Sequence, residues 1–79
     1  MRVDKFLKVS RLIKRRTVAN NFCTASRIKI NGIVVKPSAN VKVGDIITII
    51  YEAKELNYKV LSIDEIKSSK NTMYMYEQL

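Results

Sequence analysis

The side chains best equipped to do chemistry in this sequence are cations. Arg2, Lys5, Lys8, Arg11, Lys14, Arg15, Arg16 and Arg27 crowd the first third of the chain, with one carboxylate, Asp4, among them. Arginine presents a planar fork of N–H donors suited to phosphate oxygens, and lysine adds a mobile point charge. Residues 1–42 hold eleven Lys and Arg against that single acid, whereas residues 43–79 hold four against six acids. The net charge of +8 therefore sits in one half of the chain. A face so polarised suits a polyanion, since mixed charges would serve solubility equally well. Nucleic acid is the favoured partner; an acidic protein or an anionic membrane surface shares the same electrostatics.

Other chemistries lack their parts. With no histidine, Ser10, Ser26 and Ser38 have no triad partner, and the commonest general base is missing. One cysteine without histidine cannot build a structural zinc site. The two glycines both read as turn residues, so no glycine-rich phosphate loop is present. Asp64 and Glu65 are adjacent and point apart on a helix or a strand, which argues against a paired-carboxylate site. The reading is a binding module, not an enzyme, with no cofactor and no metal. An enzymatic link survives only if the chain is the detached targeting domain of an RNA-modifying enzyme. Cys23, flanked by Phe22 and Thr24, reads as a small buried hydrophobe rather than a reactive thiol.

Elements must hold these cations in place. Seventy-nine residues, 47% apolar and 28% charged, are expected to form one globular domain. No internal disulfide is possible, no signal peptide is expected from the residues after Met1, and the longest apolar run, Ile46–Tyr51, is too short to span a bilayer. A cytoplasmic protein without a membrane partner is expected. Val3, Phe6, Leu7, Ser10 and Ile13 recur on one helical face, with Asp4, Lys5, Lys8, Arg11 and Arg15 opposite. Asp4 is placed to cap this helix, which should end or bend near Leu12. A second helix is expected over 15–25, with Val18, Ala19, Phe22, Cys23 and Ala25 inward and Arg16, Asn20 and Thr24 on another face.

The period then falls to two. Arg27–Ile30 and Ile33–Lys36 flank Asn31-Gly32, a strong hairpin signal. A loop over Lys36–Asn40 and a turn at Gly44-Asp45 precede a strand over Ile46–Tyr51. A polar turn over Glu52–Leu56 leads to a further strand over Asn57–Ile63. Asp64–Lys70 reads as helical or loose, and Met73–Leu79 as either docked or frayed. The fold class is α+β: two N-terminal helices packed on a small antiparallel sheet of three to five strands. Residues 1–63 form the domain and 64–79 a C-terminal extension, flexible or docked.

In that arrangement Lys5, Lys8 and Arg11 share a helix face, Arg15 and Arg16 open the next helix, and Arg27 and Lys29 project from one side of a strand. The aromatics are Phe6, Phe22 and four tyrosines beyond residue 50, so no stacking platform accompanies the basic face. Recognition of phosphate and shape remains, which suits folded RNA.

Arg2-Val3-Asp4-Lys5-Phe6-Leu7, Arg16 with Ala19, Arg27-Ile28-Lys29-Ile30-Asn31-Gly32, Val41, and Gly44-Asp45 before an isoleucine-rich strand occur in order. Together they resemble the RNA-binding domain named after small-subunit ribosomal protein four, with its alpha-L-like fold. The whole chain is similar to stand-alone bacterial members of that superfamily and, more distantly, to ribosome-associated heat-shock members. The resemblance implies a monomeric factor of ribosome-associated quality control. Its partners would be large-subunit rRNA and peptidyl-site tRNA on an obstructed large ribosomal subunit. It would work beside an RqcH-like factor during C-terminal alanine tailing, stabilising states rather than catalysing. Large-subunit recycling of the heat-shock type is the alternative.

By the same resemblance, Arg2, Asp4 and Arg16 match positions that contact RNA or orient the contact. Geometry extends the set to Lys5, Lys8, Arg11, Lys14, Arg15 and Arg27. Asp4 is expected to pair with a nearby arginine as well as to cap, or to cap only. Two residues depart from the family. Ser26 stands where glycine is usual after the second helix, so it must accept a left-handed backbone or end the helix differently. Arg15 replaces a serine and adds charge.

Overall fold

The computed structural model describes residues 1–63 and 75–79. Two helices, α1 (Val3–Val9) and α2 (Arg16–Thr24), pack on a five-stranded antiparallel sheet. Its strands are β1 (Ile28–Ile30), β2 (Ile33–Val34), β3 (Ile46–Tyr51), β4 (Lys54–Val60) and β5 (Tyr76–Gln78), in the order β2-β1-β3-β4-β5. The α+β architecture expected from the sequence is the one observed.

Val3, Phe6, Leu7, Ser10 and Ile13 are all buried, so the inward face of the first helical segment is as the spacing predicts. Each of the large apolar side chains contributes roughly 1.5–3 kcal/mol by leaving water. The helix itself is shorter than expected. It stops at Val9, and Arg11 adopts a left-handed φ of 64°. The Arg11 amide then bonds the Lys8 carbonyl and the Ile13 amide bonds the Leu7 carbonyl, so a tight turn rather than a further helical turn brings Ile13 into the core. Arg11 therefore does not share a helix face with Lys5 and Lys8.

The buried stripe of α2 is narrower than predicted. Ala19 and Cys23 are buried and Phe22 is half-buried, but Val18 and Ala25 are exposed, because so short a helix turns only one side to the core. Its C-terminus answers the question posed by Ser26. Serine takes φ 61°, its amide bonds the Cys23 carbonyl, and the Arg27 amide bonds the Phe22 carbonyl. This pair of bonds closes the helix as glycine usually does.

In β1, Ile28 and Ile30 face the core and pair with Ile49 and Ile47 of β3. Asn31 and Gly32, with φ 51° and 82°, make the expected two-residue hairpin. The Asn31 side chain also donates to Asp45 Oδ1 at 3.1 Å and accepts the Ile46 amide at 2.9 Å, tying the hairpin to the turn before β3. Strand β4 begins at Lys54, three residues before the expected start at Asn57, because Glu52 (φ 49°) and Ala53 alone complete the turn. The chain terminus docks: β5 pairs with β4, Met75 is fully buried, and its carbonyl accepts the Leu61 and Ser62 amides. The reading of Asp64–Lys70 lies outside the described residues. No described helix is long and apolar enough to cross a membrane.

Candidate nucleic-acid interface

The start of α1 is threaded under the β2–β3 loop. Val3 and Asp4 donate their amides to the carbonyls of Ala39 and Pro37, and the Val41 amide bonds the Met1 carbonyl. Asp4 is thereby pressed into the protein with only 2% of its surface exposed. It does not cap α1 as expected. Arg2 is the N-cap, without a side-chain bond to the helix amides, and Asp4 is the second helical residue, where its Oδ1 accepts the Lys5 amide at 2.8 Å. The first-turn donors are thus met by a neighbouring loop and by Asp4 together.

The arginine pairing is present, and doubled. Arg2 grips the carboxylate with both arms of its fork, Nε to Oδ1 at 3.2 Å and Nη2 to Oδ2 at 3.1 Å. Arg16, at the first turn of α2, brings Nη2 to 3.5 Å from Oδ1. The two arginine side chains remain 49% and 50% exposed while the Asp4 side chain they hold is hidden. One buried negative charge therefore sets the position of two surface cations, and a net positive charge faces outward. A guanidinium carries five N–H donors, of which the carboxylate occupies the minority.

These residues border a cleft of about 390 Å³ lined by Arg2, Asp4, Arg16, Thr17, Asn20 and Asn21. Thr17, Asn20 and Asn21 were not among the site residues that sequence alone suggests. The available signal was Asn20 one turn after Arg16 on the same face, a neutral donor–acceptor beside a cation. At the open end of α2, the amides of Arg16, Thr17 and Val18 have no intrahelical acceptor, and the helix dipole adds partial positive charge.

The remaining cations spread from this point. Lys8 lies exposed in the last turn of α1; Arg11, Lys14 and Arg15 line the connection between the helices, also exposed. Lys5 is half-buried. Lys8, Arg11, Lys14, Arg15 and Arg27 form no ion pair among the described residues. Lys29, by contrast, is partly neutralised by Glu55 at 3.5 Å. Arg27 precedes β1 and lies with its guanidinium carbon 5.8 Å from the centroid of the Phe22 ring. Tyr51, at the end of β3, reaches Phe22 with centroids 5.4 Å apart and planes at 64°. The sequence reading expected no grouping of aromatics beside the basic residues; β-sheet pairing instead carries a late tyrosine back to Phe22 of α2. Burial, aided by the negative charge of Asp4, pushes the Cys23 thiol up to about 11, which leaves it protonated and unreactive at neutral pH. Among the described residues no cluster of His, Cys, Asp and Glu is placed to hold a metal ion.

Two short helices over an antiparallel sheet, with paired surface arginines braced by a buried aspartate, define a small domain of the S4 class. The S4 domain family matches residues 1–47. Over 77 residues the chain is 47% identical to the RQC P-site tRNA stabilizing factor of Streptococcus pneumoniae, covering 98% of this chain and 88% of that protein. It is 43% identical over 76 residues to the factor of the same name from Bacillus subtilis, covering 96% and 88%. The chain belongs to the S4-domain family, and within it to the group these bacterial factors form. Among solved structures it resembles the trimeric Heat Shock Protein 15 of Vibrio cholerae, with a TM-score of 0.87 and 26% identity, over all of this chain and 81% of that one. It also resembles the hypothetical protein HP1423, with a TM-score of 0.83 and 34% identity, over 100% and 96%.

Proposed function

We propose that this protein binds structured RNA through the surface centred on Arg2 and Arg16, and that it steadies peptidyl-site tRNA on obstructed large ribosomal subunits. The observation that carries this reading is the Asp4 brace, which fixes two half-exposed arginine side chains at a cleft bordered by Thr17, Asn20 and Asn21. Bidentate donors held in advance lose less side-chain entropy when they meet phosphate. Lys5, Lys8, Arg11, Lys14, Arg15 and Arg27 extend the contact along the backbone of the RNA. The relatives' shared name supplies the tRNA and the quality-control setting.

In this reading the protein is a cytoplasmic, monomeric binding factor and not an enzyme. Large-subunit rRNA anchors it, an RqcH-like factor works beside it, and the ribosome performs the chemistry while alanine is added to the stalled chain. The likeness to Heat Shock Protein 15 favours, as a second reading, a recycling factor for free large subunits.

Sedimentation of the tagged protein through sucrose gradients separates the outcomes. The wild type should travel with large subunits that also carry tRNA, and the Arg2→Ala/Arg16→Ala double variant should stay at the top. Function that persists in cells lacking the RqcH-like factor would favour the recycling reading. Wild type and variant both at the top would contradict both readings.

A further inference from the structure

At the C-terminal end of α2, three side chains from three segments meet outside the Asp4 cleft. Phe22 comes from the helix, Arg27 from the link to β1, and Tyr51 from the last position of β3. Both rings are half-buried, anchored against the core on one side and open on the other. Arg27 is exposed, but its backbone is pinned at both ends: its amide donates to the Phe22 carbonyl and its own carbonyl accepts the Ile50 amide, each at 2.9 Å. The guanidinium lies beside the Phe22 ring with no carboxylate partner among the described residues. At 100° per residue, Phe22 falls on one flank of the buried Ala19–Cys23 line, and Arg16 and Asn20 fall on the other. The two places are distinct and served by the same helix.

We propose that Phe22, Tyr51 and Arg27 form a stacking site for a single unpaired nucleobase. The inference rests on the RNA-binding reading above and adds to it a contact with a base, where the remainder of the surface meets phosphate. Every base has a π-face, and aromatic rings and arginine planes both receive it, so such a site tolerates any sequence. The free donors of Arg27 can also reach a base edge or the adjoining phosphate. A peptide would find little apolar area here and would gain nothing from an unpaired cation unless it were acidic. The RNA that fits has a duplex for the cationic surface and one unstacked nucleotide beside it.

The test uses a short RNA hairpin with a three-nucleotide single-stranded extension, intact or with all three extension positions abasic. Wild-type protein should bind the intact form about tenfold more tightly. Tyr51→Leu and Phe22→Leu, which keep apolar bulk for the fold, should each erase most of that difference while leaving binding of the abasic hairpin unchanged. Equal affinity of the wild type for both hairpins overturns the site, as does discrimination that survives in both variants. The wild-type comparison needs no substitution, so loss of folding in a variant cannot hide the answer. If neither hairpin binds, the RNA-binding reading fails and the stacking site falls with it. If both bind equally and Arg16→Ala weakens both, the RNA-binding reading stands and the stacking site alone is rejected.

Discussion

Asp4 braces the candidate interface from below, its side chain only 2% exposed beside Arg2 and Arg16. Asp4→Asn keeps the shape and removes the charge that gathers the two forks. RNA affinity should fall roughly fivefold, about 1 kcal/mol, and stability should fall by about 1–2 kcal/mol. An unchanged affinity in a folded Asp4→Asn protein would reduce the brace to a structural role. Arg11 and Ser26 both hold left-handed backbones that glycine adopts without strain. Ser26→Gly should raise Tm by roughly 4–8 °C, for about 1 kcal/mol, with RNA affinity unchanged. Arg11→Gly should give a similar rise in Tm but weaken RNA binding, because it relieves strain and deletes a cation at once. Cys23 supplies a pH signature. Its thiol is raised from 9.0 to about 11 in the folded protein, so the folded state keeps a proton that the unfolded chain releases. Stability should therefore be level with respect to this group below pH 9 and decline between pH 9 and 11, a decline that denaturant titrations should find reduced in Cys23→Ala. Asp4 as a lone acid among cations, and its tie to an arginine, are legible in the sequence. Its burial is not, because that depends on the Pro37–Ala39 loop folding over the start of α1.

At the scale of elements, the short C-terminal strand is an integral part of the sheet. Met75 is completely buried and its carbonyl holds two amides beyond β4. Met75→Ala should cost about 2–4 kcal/mol, a large share of the stability of so small a domain, and a urea midpoint read by circular dichroism would register it. A midpoint near that of the wild type would mean that β5 is dispensable. Hydrophobic spacing made the inward face of α1 and the strand Ile46–Tyr51 readable, since both follow from periodicity alone. Ends were harder. The first helix closes at Arg11, an unusual residue for a left-handed backbone, and β4 starts early because a two-residue turn does the work assigned to a longer polar one. The break in spacing at Leu12 announces the end of α1, though not the left-handed turn at Arg11 that makes it, and nothing local announces the early start of β4. The docking of Tyr76–Gln78 depends on pairing with a strand some twenty residues away, which composition cannot reveal.

For the whole molecule, the imbalance of charge between the two halves of the chain is concentrated at the helices, because α1, α2 and their connection carry six of the eleven cations of residues 1–42 and Arg2 adds a seventh. That asymmetry was visible from residue counts. The meeting of Tyr51 with Phe22 and Arg27 was not, since it crosses from one half of the sequence to the other. If about six phosphates are contacted, log affinity against log salt should have a slope on the order of −4 to −5. Whether braced arginines bind RNA phosphates is decided by that salt titration on a folded ribosomal RNA fragment, wild type beside Arg16→Ala. The wild type should show a steep slope and the variant one shallower by roughly 1, with both proteins equally folded. A slope near zero, or identical slopes and affinities for the two proteins, would contradict phosphate binding by the braced arginines.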